Sequence, residues 1–226
     1  MVYAITLSKM KPLKKIKTEW TSNLAYAIGL IATDGCLYND GRHLAFVSKD
    51  LKQIKTFNKC LGLKVKIAKK LSGFKKGNFA YWVQFGDVNF YKFLLLIGLS
   101  SRKSKTIGSL KIPKEFFFDF LRGSFDGDGS SYSYWDKRWT SSFLFYLSFT
   151  SASLRHLAWL RKVIEELTGS KGHINASSSA RAYQLKYAKT EARVIFNKMY
   201  YSPYVSKLER KYKKVYNALA LNRKNP

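Results

Sequence analysis

Two aspartates stand at matched places in a chain that carries few acids. Asp34 is the penultimate residue of AIGLIATDG (Ala27–Gly35), and Asp128 holds the same place in LRGSFDGDG (Leu121–Gly129). The first stretch completes SNLAYAIGLIATDG, whose polar start, apolar run and final glycine describe a helix ending in a glycine C-cap. A carboxylate in the last turn faces the negative end of the helix dipole, unfavourable by about 0.3–1 kcal/mol. Bringing two such ends together adds like-charge repulsion. A divalent cation relieves both effects. Mg²⁺ takes carboxylate, phosphate and water oxygens, and it activates water and stabilises a leaving oxygen. The pair therefore predicts a metal-dependent phosphodiester-hydrolysis site with Asp34 and Asp128 as ligands. A lone Asp-Gly is an ordinary turn dipeptide; recurrence at matched positions gives this one its weight.

The charge balance agrees with a polyanionic substrate. Among 226 residues, 41 Lys and Arg face 14 Asp and Glu, a net charge of +27. Such a surface repels itself unless it meets a polyanion, nucleic acid first and an anionic membrane second. The lysines are spread along the whole chain rather than gathered on one amphipathic helix, which argues against a lipid-surface role. The apolar run FLLLIGL (Phe93–Leu99) is far too short to span a bilayer. Cys36 and Cys60 form no CxxC, and no His-Cys cluster accompanies them, so neither structural zinc nor a disulfide scaffold is expected. His43, His156 and His173 are scattered, and none reads as a ligand. The start of the chain lacks the apolar core and cleavage site of a secretory signal. The expectation is a soluble, intracellular protein in the cytoplasm, nucleoid or an organelle matrix.

The elements that must position the acids repeat. The motifs are offset by 94 residues; LAFVSKDL and LSFTSASL follow at an offset of 103, YWVQF and YQLKY at 102, SRKSK and ERKYK at 108. Preserved order and small drift indicate an internal duplication of a unit of about 100 residues. Each unit reads as a motif helix, two strands, a middle helix (Asp50–Leu61; Ser153–Thr168), two strands and a terminal helix. The fold class is thus α+β, two αββαββα repeats about a pseudo-twofold, each with a four-stranded antiparallel sheet. Alternation turns Leu44, Phe46, Tyr81, Val83 and Phe85 inward in the first unit, and Phe143, Phe145, Leu147, Phe149, Leu185 and Tyr187 in the second. His43, Ala45 and Val47 fall outward, and Lys64 and Lys66 share one face of a strand. Residues 1–20 are a basic extension, 21–108 the first repeat, 109–117 a linker and 118–226 the second repeat. Gly29 and Thr33, like Gly123 and Gly127, are four apart and share a helix face without bulk. Such faces let two backbones approach closely, so the motif helices are expected to pack there.

In its two motifs, their spacing and its basic charge, the chain resembles the LAGLIDADG homing endonucleases of the single-chain, two-motif type, over essentially all of its length after Thr21. The resemblance implies saddle-shaped sheets astride double-stranded DNA and Mg²⁺-dependent cleavage of both strands at a long target, leaving staggered 3′ ends. Mn²⁺ or Ca²⁺ substitutes in binding. It implies Asp34 and Asp128 as ligands, assisted by the Thr33 and Gly127 carbonyls, and basic residues around water and phosphate, a role that Lys103 and Lys211 fit. Two departures stand out: the earlier motif acid is Asp126 in the second copy but Ala32 in the first, and Arg122 occupies an apolar position, where it is expected to point away from the pair. Outward strand residues are expected to read the major groove: Lys64, Lys66, Trp82 and Gln84 in one half, Tyr146, Ser148, Gln184 and Lys186 in the other. Lys49 and Ser151 are further candidates for the polar pocket, and the long hairpin with Trp135, Lys137, Arg138 and Trp139 for flanking DNA. Two alternatives use the same scaffold: an intron maturase with intron RNA as partner, and a non-catalytic DNA-binding regulator. The expected enzyme is a monomer, free-standing and intron-encoded.

Overall fold

A computed structural model describes residues 15–71, 79–139, 142–176 and 182–221; the side chains of Lys70 and Leu221 fall outside it. Most of the basic N-terminal extension therefore lies outside the described residues. Its last part is packed: the Lys15 and Ile16 amides donate to Asp87 Oδ2 at 2.9 and 3.1 Å, and Trp20 lies against Phe93 and Phe116.

The first half runs α1 (Ser22–Asp34), β1 (Gly35–Leu37), β2 (His43–Ser48), α2 (Leu51–Cys60), β3 (Ala68–Leu71), β4 (Phe79–Gly86) and α3 (Val88–Leu96). A 3-10 turn at Lys114–Phe116 leads into the second half: α4 (Phe117–Asp128), β5 (Ser130–Trp135), β6 (Phe143–Ser151), α5 (Leu154–Thr168), β7 (His173–Ala176), β8 (Tyr183–Ala188), α6 (Lys189–Met199) and α7 (Glu209–Leu221). Side chains start the helices of the first half: Thr21, Asp50 and Asp87 accept the amides of Leu24, Lys52 and Phe90. The class is α+β, with antiparallel sheets ordered β1-β2-β4-β3 and β5-β6-β8-β7.

The sheet register carries the sequence repeat into space. Ser48 faces Tyr81 in the first sheet and Ser151 faces Tyr183 in the second; Leu44 faces Phe85 and Leu147 faces Tyr187. Period-two alternation buries Phe143, Phe145, Leu147 and Phe149 on one side of β6, under α5 and α6. The first half buries Leu44, Phe46, Val83 and Phe85 in the same way, with Phe57 of α2 stacked on Phe46. Ala45 is buried as well, although alternation puts it outward.

Between the halves α1 packs on α4. Helix α1 is apolar around most of its circumference, and residues 24–31 are all buried, the pattern of a central helix. At the crossing, a methyl group built on Gly29 would meet the Phe120 carbonyl oxygen at 2.2 Å, and one on Gly123 the Tyr26 carbonyl oxygen at 2.0 Å. Only glycine permits backbones this close.

Two local expectations are corrected and a third takes a specific form. Lys64 and Lys66 lie in extended chain before β3 rather than on a strand; Leu63, Val65 and Ile67 pack inward and both lysines are exposed, but no neighbouring strand takes up their backbone groups. The expected glycine cap is present: Gly35 and Gly129 cap α1 and α4, at φ −82° and −72°, because each helix passes straight into a strand. The terminal segments are not alike: SRKSK lies in a turn at Ser101–Thr106, whereas ERKYK opens α7, an additional helix of the second half.

Candidate metal and nucleic-acid site

The parallel ends of α1 and α4 set the candidate site. A methyl group on Gly127 would strike Thr33 Oγ1 at 2.0 Å and Asp34 Oδ2 at 2.8 Å, so the end of α1 lies directly on the backbone that leads into Asp128. The Thr33 hydroxyl turns back to the Leu30 carbonyl at 3.0 Å. Both carboxyl groups reach solvent on one side. The packed helix ends nevertheless strip water from them. Burial, then the charge of Asp128, raises the Asp34 carboxyl to about 6; burial also raises Asp128. The charges of Lys211 and Lys103 oppose the rise at both acids.

Those two lysines arrive one from each half, Lys103 from the turn Ser101–Thr106 and Lys211 from α7. The Lys103 ammonium, buried, donates to the carbonyl of Gly35, and burial lowers its proton affinity. Lys211 Nζ donates to the carbonyls of Phe125, Gly127 and Gly129, each at 2.7 Å. An ammonium has three donors, so Lys211 is fully engaged at the negative end of α4. Burial pulls it down to about 8, against the attraction of Asp126, Asp34 and Asp128.

The acids fit a hard divalent ion. Asp34 Oδ2 accepts only the Thr33 hydroxyl, at 3.3 Å, and Asp128 accepts no hydrogen bond among the described residues. Unpartnered carboxylate oxygens are what Mg²⁺ selects. No cluster of three or more His, Cys, Asp or Glu suited to a metal occurs among the described residues. An ion here would thus draw on two carboxylates, with carbonyl, water or phosphate oxygens completing its shell.

The motif's departures are not solvent-facing. Arg122, expected to point away, is fully buried: Nη2 donates to Asp119 Oδ1 at 2.6 Å, Nη1 to the Met199 carbonyl at 2.6 Å and Nε to the Ser206 carbonyl at 2.8 Å. A buried charge persists only when paired; Asp119 is the counter-charge, and carbonyls 77 and 84 residues away take up further donors. Asp126 is buried and held by Tyr26, Tyr200 and Leu208.

On the outer sheet faces the nominated residues separate. In the first sheet Gln84 is exposed and Trp82 half-buried; they lie opposite Ala45 and Val47. In the second, Ser148 is corrected: it is buried, its Oγ 2.8 Å from Ser130 Oγ, so its hydroxyl is engaged within the sheet. The row through it continues to Lys186 and His173; the next joins Thr150, Gln184 and Asn175. Tyr146 stacks on Tyr132 at 5.0 Å, and Lys186 Nζ lies 5.9 Å from the Tyr132 ring centre. These groups line a cavity of about 420 Å³ with Tyr134, His173 and Asn175. Sequence reading missed Tyr132, His173 and Asn175 there; the alternation of β7 around Ile174 was the available signal. Lys49, Lys137 and Arg138 are exposed, Arg138 paired with Asp136, while Ser151 Oγ accepts the Ser153 amide beside α5. The tip of the long hairpin, 140–141, lies outside the described residues.

No protein-family model and no curated protein sequence matches the chain. Solved structures do. Full-length DUF199/WhiA from Thermatoga maritima aligns at TM-score 0.55 and 15% identity, over 89% of this chain and 61% of that one; this chain thus spans less than two thirds of that protein. The homing endonuclease I-WcaI bound to its DNA recognition sequence aligns at 0.60 and 13%, over 87% and 89%. I-DmoI in complex with DNA and Mn aligns at 0.51 and 17%, over 79% and 97%. At these identities the likeness establishes architecture: two four-stranded sheets around a pair of glycine-paired motif helices make this chain a LAGLIDADG-like fold.

Proposed function

We propose that the chain is a site-specific endonuclease that cleaves both strands of a long, asymmetric DNA target by Mg²⁺-dependent phosphodiester hydrolysis, leaving staggered 3′ ends. The observation that carries this reading is the meeting of Asp34 and Asp128, nearly without hydrogen-bond partners, at the ends of α1 and α4. The two carboxylates, with the Thr33 carbonyl, would hold the ion; the Gly127 carbonyl, expected to assist, already accepts the Lys211 ammonium and has one lone pair left for it. When bound, the ion supplies an activated water and charge stabilisation at the leaving oxygen. Lys103 and Lys211 keep positive charge beside the acids, where negative charge develops on phosphate. The outer sheet faces, with Trp82, Gln84, Tyr146, Gln184 and Lys186, lie in the groove, and exposed lysines such as Lys49, Lys64, Lys66 and Lys137 position the duplex through phosphates. Support comes from the net charge of +27 and from fold neighbours described as bound to DNA, one with Mn. The protein acts as a monomer, repeats 21–108 and 118–226 forming the pair, and is intron-encoded. No described helix is long and apolar enough to cross a membrane.

A second reading, a non-catalytic DNA-binding regulator, draws on the likeness to DUF199/WhiA, with whose N-terminal LAGLIDADG domain this chain also aligns. Selection from a library of long DNA targets with Mg²⁺ separates the two. The endonuclease yields a double-strand break at one long asymmetric site; a binding protein enriches targets and cuts none.

A further inference from the structure

The second motif carries two charged residues that the first lacks. Arg122 and Asp126 stand where the first copy has Ile28 and Ala32. Four residues apart, they share a face of α4, and both are buried. Both reach the same piece of chain, the connection from α6 to α7. Arg122 holds the carbonyls of Met199 and Ser206. Asp126 Oδ2 accepts the Leu208 amide at 2.7 Å, and its Oδ1 accepts the Tyr200 hydroxyl at 3.3 Å. Leu208 in turn starts α7, its carbonyl accepting the amides of Lys211 and Tyr212 at 3.0 and 3.1 Å. The two side chains therefore grip both ends of the connection. They set the first turn of α7, the turn that delivers Lys211 to the carbonyls of Phe125, Gly127 and Gly129. The first half is built differently: after α3 the chain enters the turn Ser101–Thr106, and Lys103 there reaches the Gly35 carbonyl without such a grip.

We propose that Arg122 and Asp126 are positioning residues that clamp the α6–α7 connection and thereby seat Lys211 on the end of the second motif helix. A charged pair in a helix interior is unfavourable unless its partners are fixed. Here those partners belong to the last residue of α6, to the connection, to α1 or to α4 itself. One consequence rests on the endonuclease reading: cleavage of one strand depends on the clamp and cleavage of the other does not.

The clamp is tested on the full chain without any DNA, by modifying lysines with an amine-directed reagent and reading each site by mass spectrometry. Lys103, in the other half, is the internal reference. Asp126→Ala is expected to raise modification of Lys211 about tenfold, the low end of what a hydrogen bond to a charged group is worth, with Lys103 unchanged. Asp126→Asn keeps an acceptor for the Leu208 amide and is expected to stay close to the wild type. Unchanged Lys211 in Asp126→Ala, or an equal rise at both lysines, would overturn the proposal. On a cleavable plasmid target, Asp126→Ala is expected to accumulate nicked circles in place of linear product; equal slowing of both strands contradicts strand dependence. A wild type that cuts nothing but shows the labelling pattern removes the endonuclease reading and leaves the clamp standing.

Discussion

At the scale of single residues the site is governed by how much water and how many donors each carboxyl keeps. Asp34 and Asp128 retain a solvent side but few donors, whereas Asp126, two residues earlier, is buried among two tyrosines and an amide. Burial raises Asp126 to about 6 from an ordinary value near 3.8. A raised carboxyl binds more protons folded than unfolded, so its contribution is full below about pH 4 and is lost as pH rises through 6. Asp126→Asn removes that dependence. Relative to the wild type, the variant is expected to gain up to about 3 kcal/mol of stability between pH 4 and pH 8, read from denaturant midpoints at the two pH values. A constant difference would contradict the assignment. The acids themselves were legible from their repeat positions in the sequence. What Arg122 and Asp126 do was not, because beyond the local Arg122–Asp119 pair their partners on the chain from α6 to α7 lie 74 to 84 residues away. Nor was the burial of Ser148, which depends on Ser130 across the strand pair.

At the scale of elements, the distance between the acids is set by the crossing of α1 and α4. Gly29→Ala and Gly123→Ala would each place a methyl group about 2 Å from a backbone oxygen of the other helix. Alanine is intrinsically favoured over glycine in a helix by about 1 kcal/mol, so an uncrowded site would gain stability. Here the clash dominates, and each variant is expected to lose about 2 kcal/mol or more, seen as a lower melting temperature. Stabilisation by either would mean that the helices do not approach this closely. The middle helices and strand faces were legible because hydrophobic period follows burial directly. The strand expected at Lys64 and Lys66 was not formed: alternation reports which side is covered and says nothing about whether a neighbouring strand pairs. The additional helix α7 escaped for a related reason, since ERKYK and SRKSK look alike although one opens a helix and the other a turn.

At the scale of the whole molecule, the proposed DNA interface draws on a net charge of +27 and on the outer faces of two four-stranded sheets. If about 6–10 phosphates are contacted, affinity for the selected DNA falls about 10³–10⁵-fold between 50 and 200 mM salt. A salt-insensitive affinity would contradict phosphate-dominated binding. The halves differ in hairpin length, in the proposed clamp and in the residues on their outer faces, so the preferred target is expected to be asymmetric. A palindromic optimum would count against that. In the proposed reaction Asp34 and Asp128 jointly hold the metal ion, and strand-resolved cleavage of the selected target in Mg²⁺ decides whether they do. The wild type is expected to linearise the plasmid with staggered 3′ ends, while Asp34→Asn and Asp128→Asn bind the same target but cut it at least about a thousandfold more slowly. Either variant cutting at the wild-type rate would contradict the account.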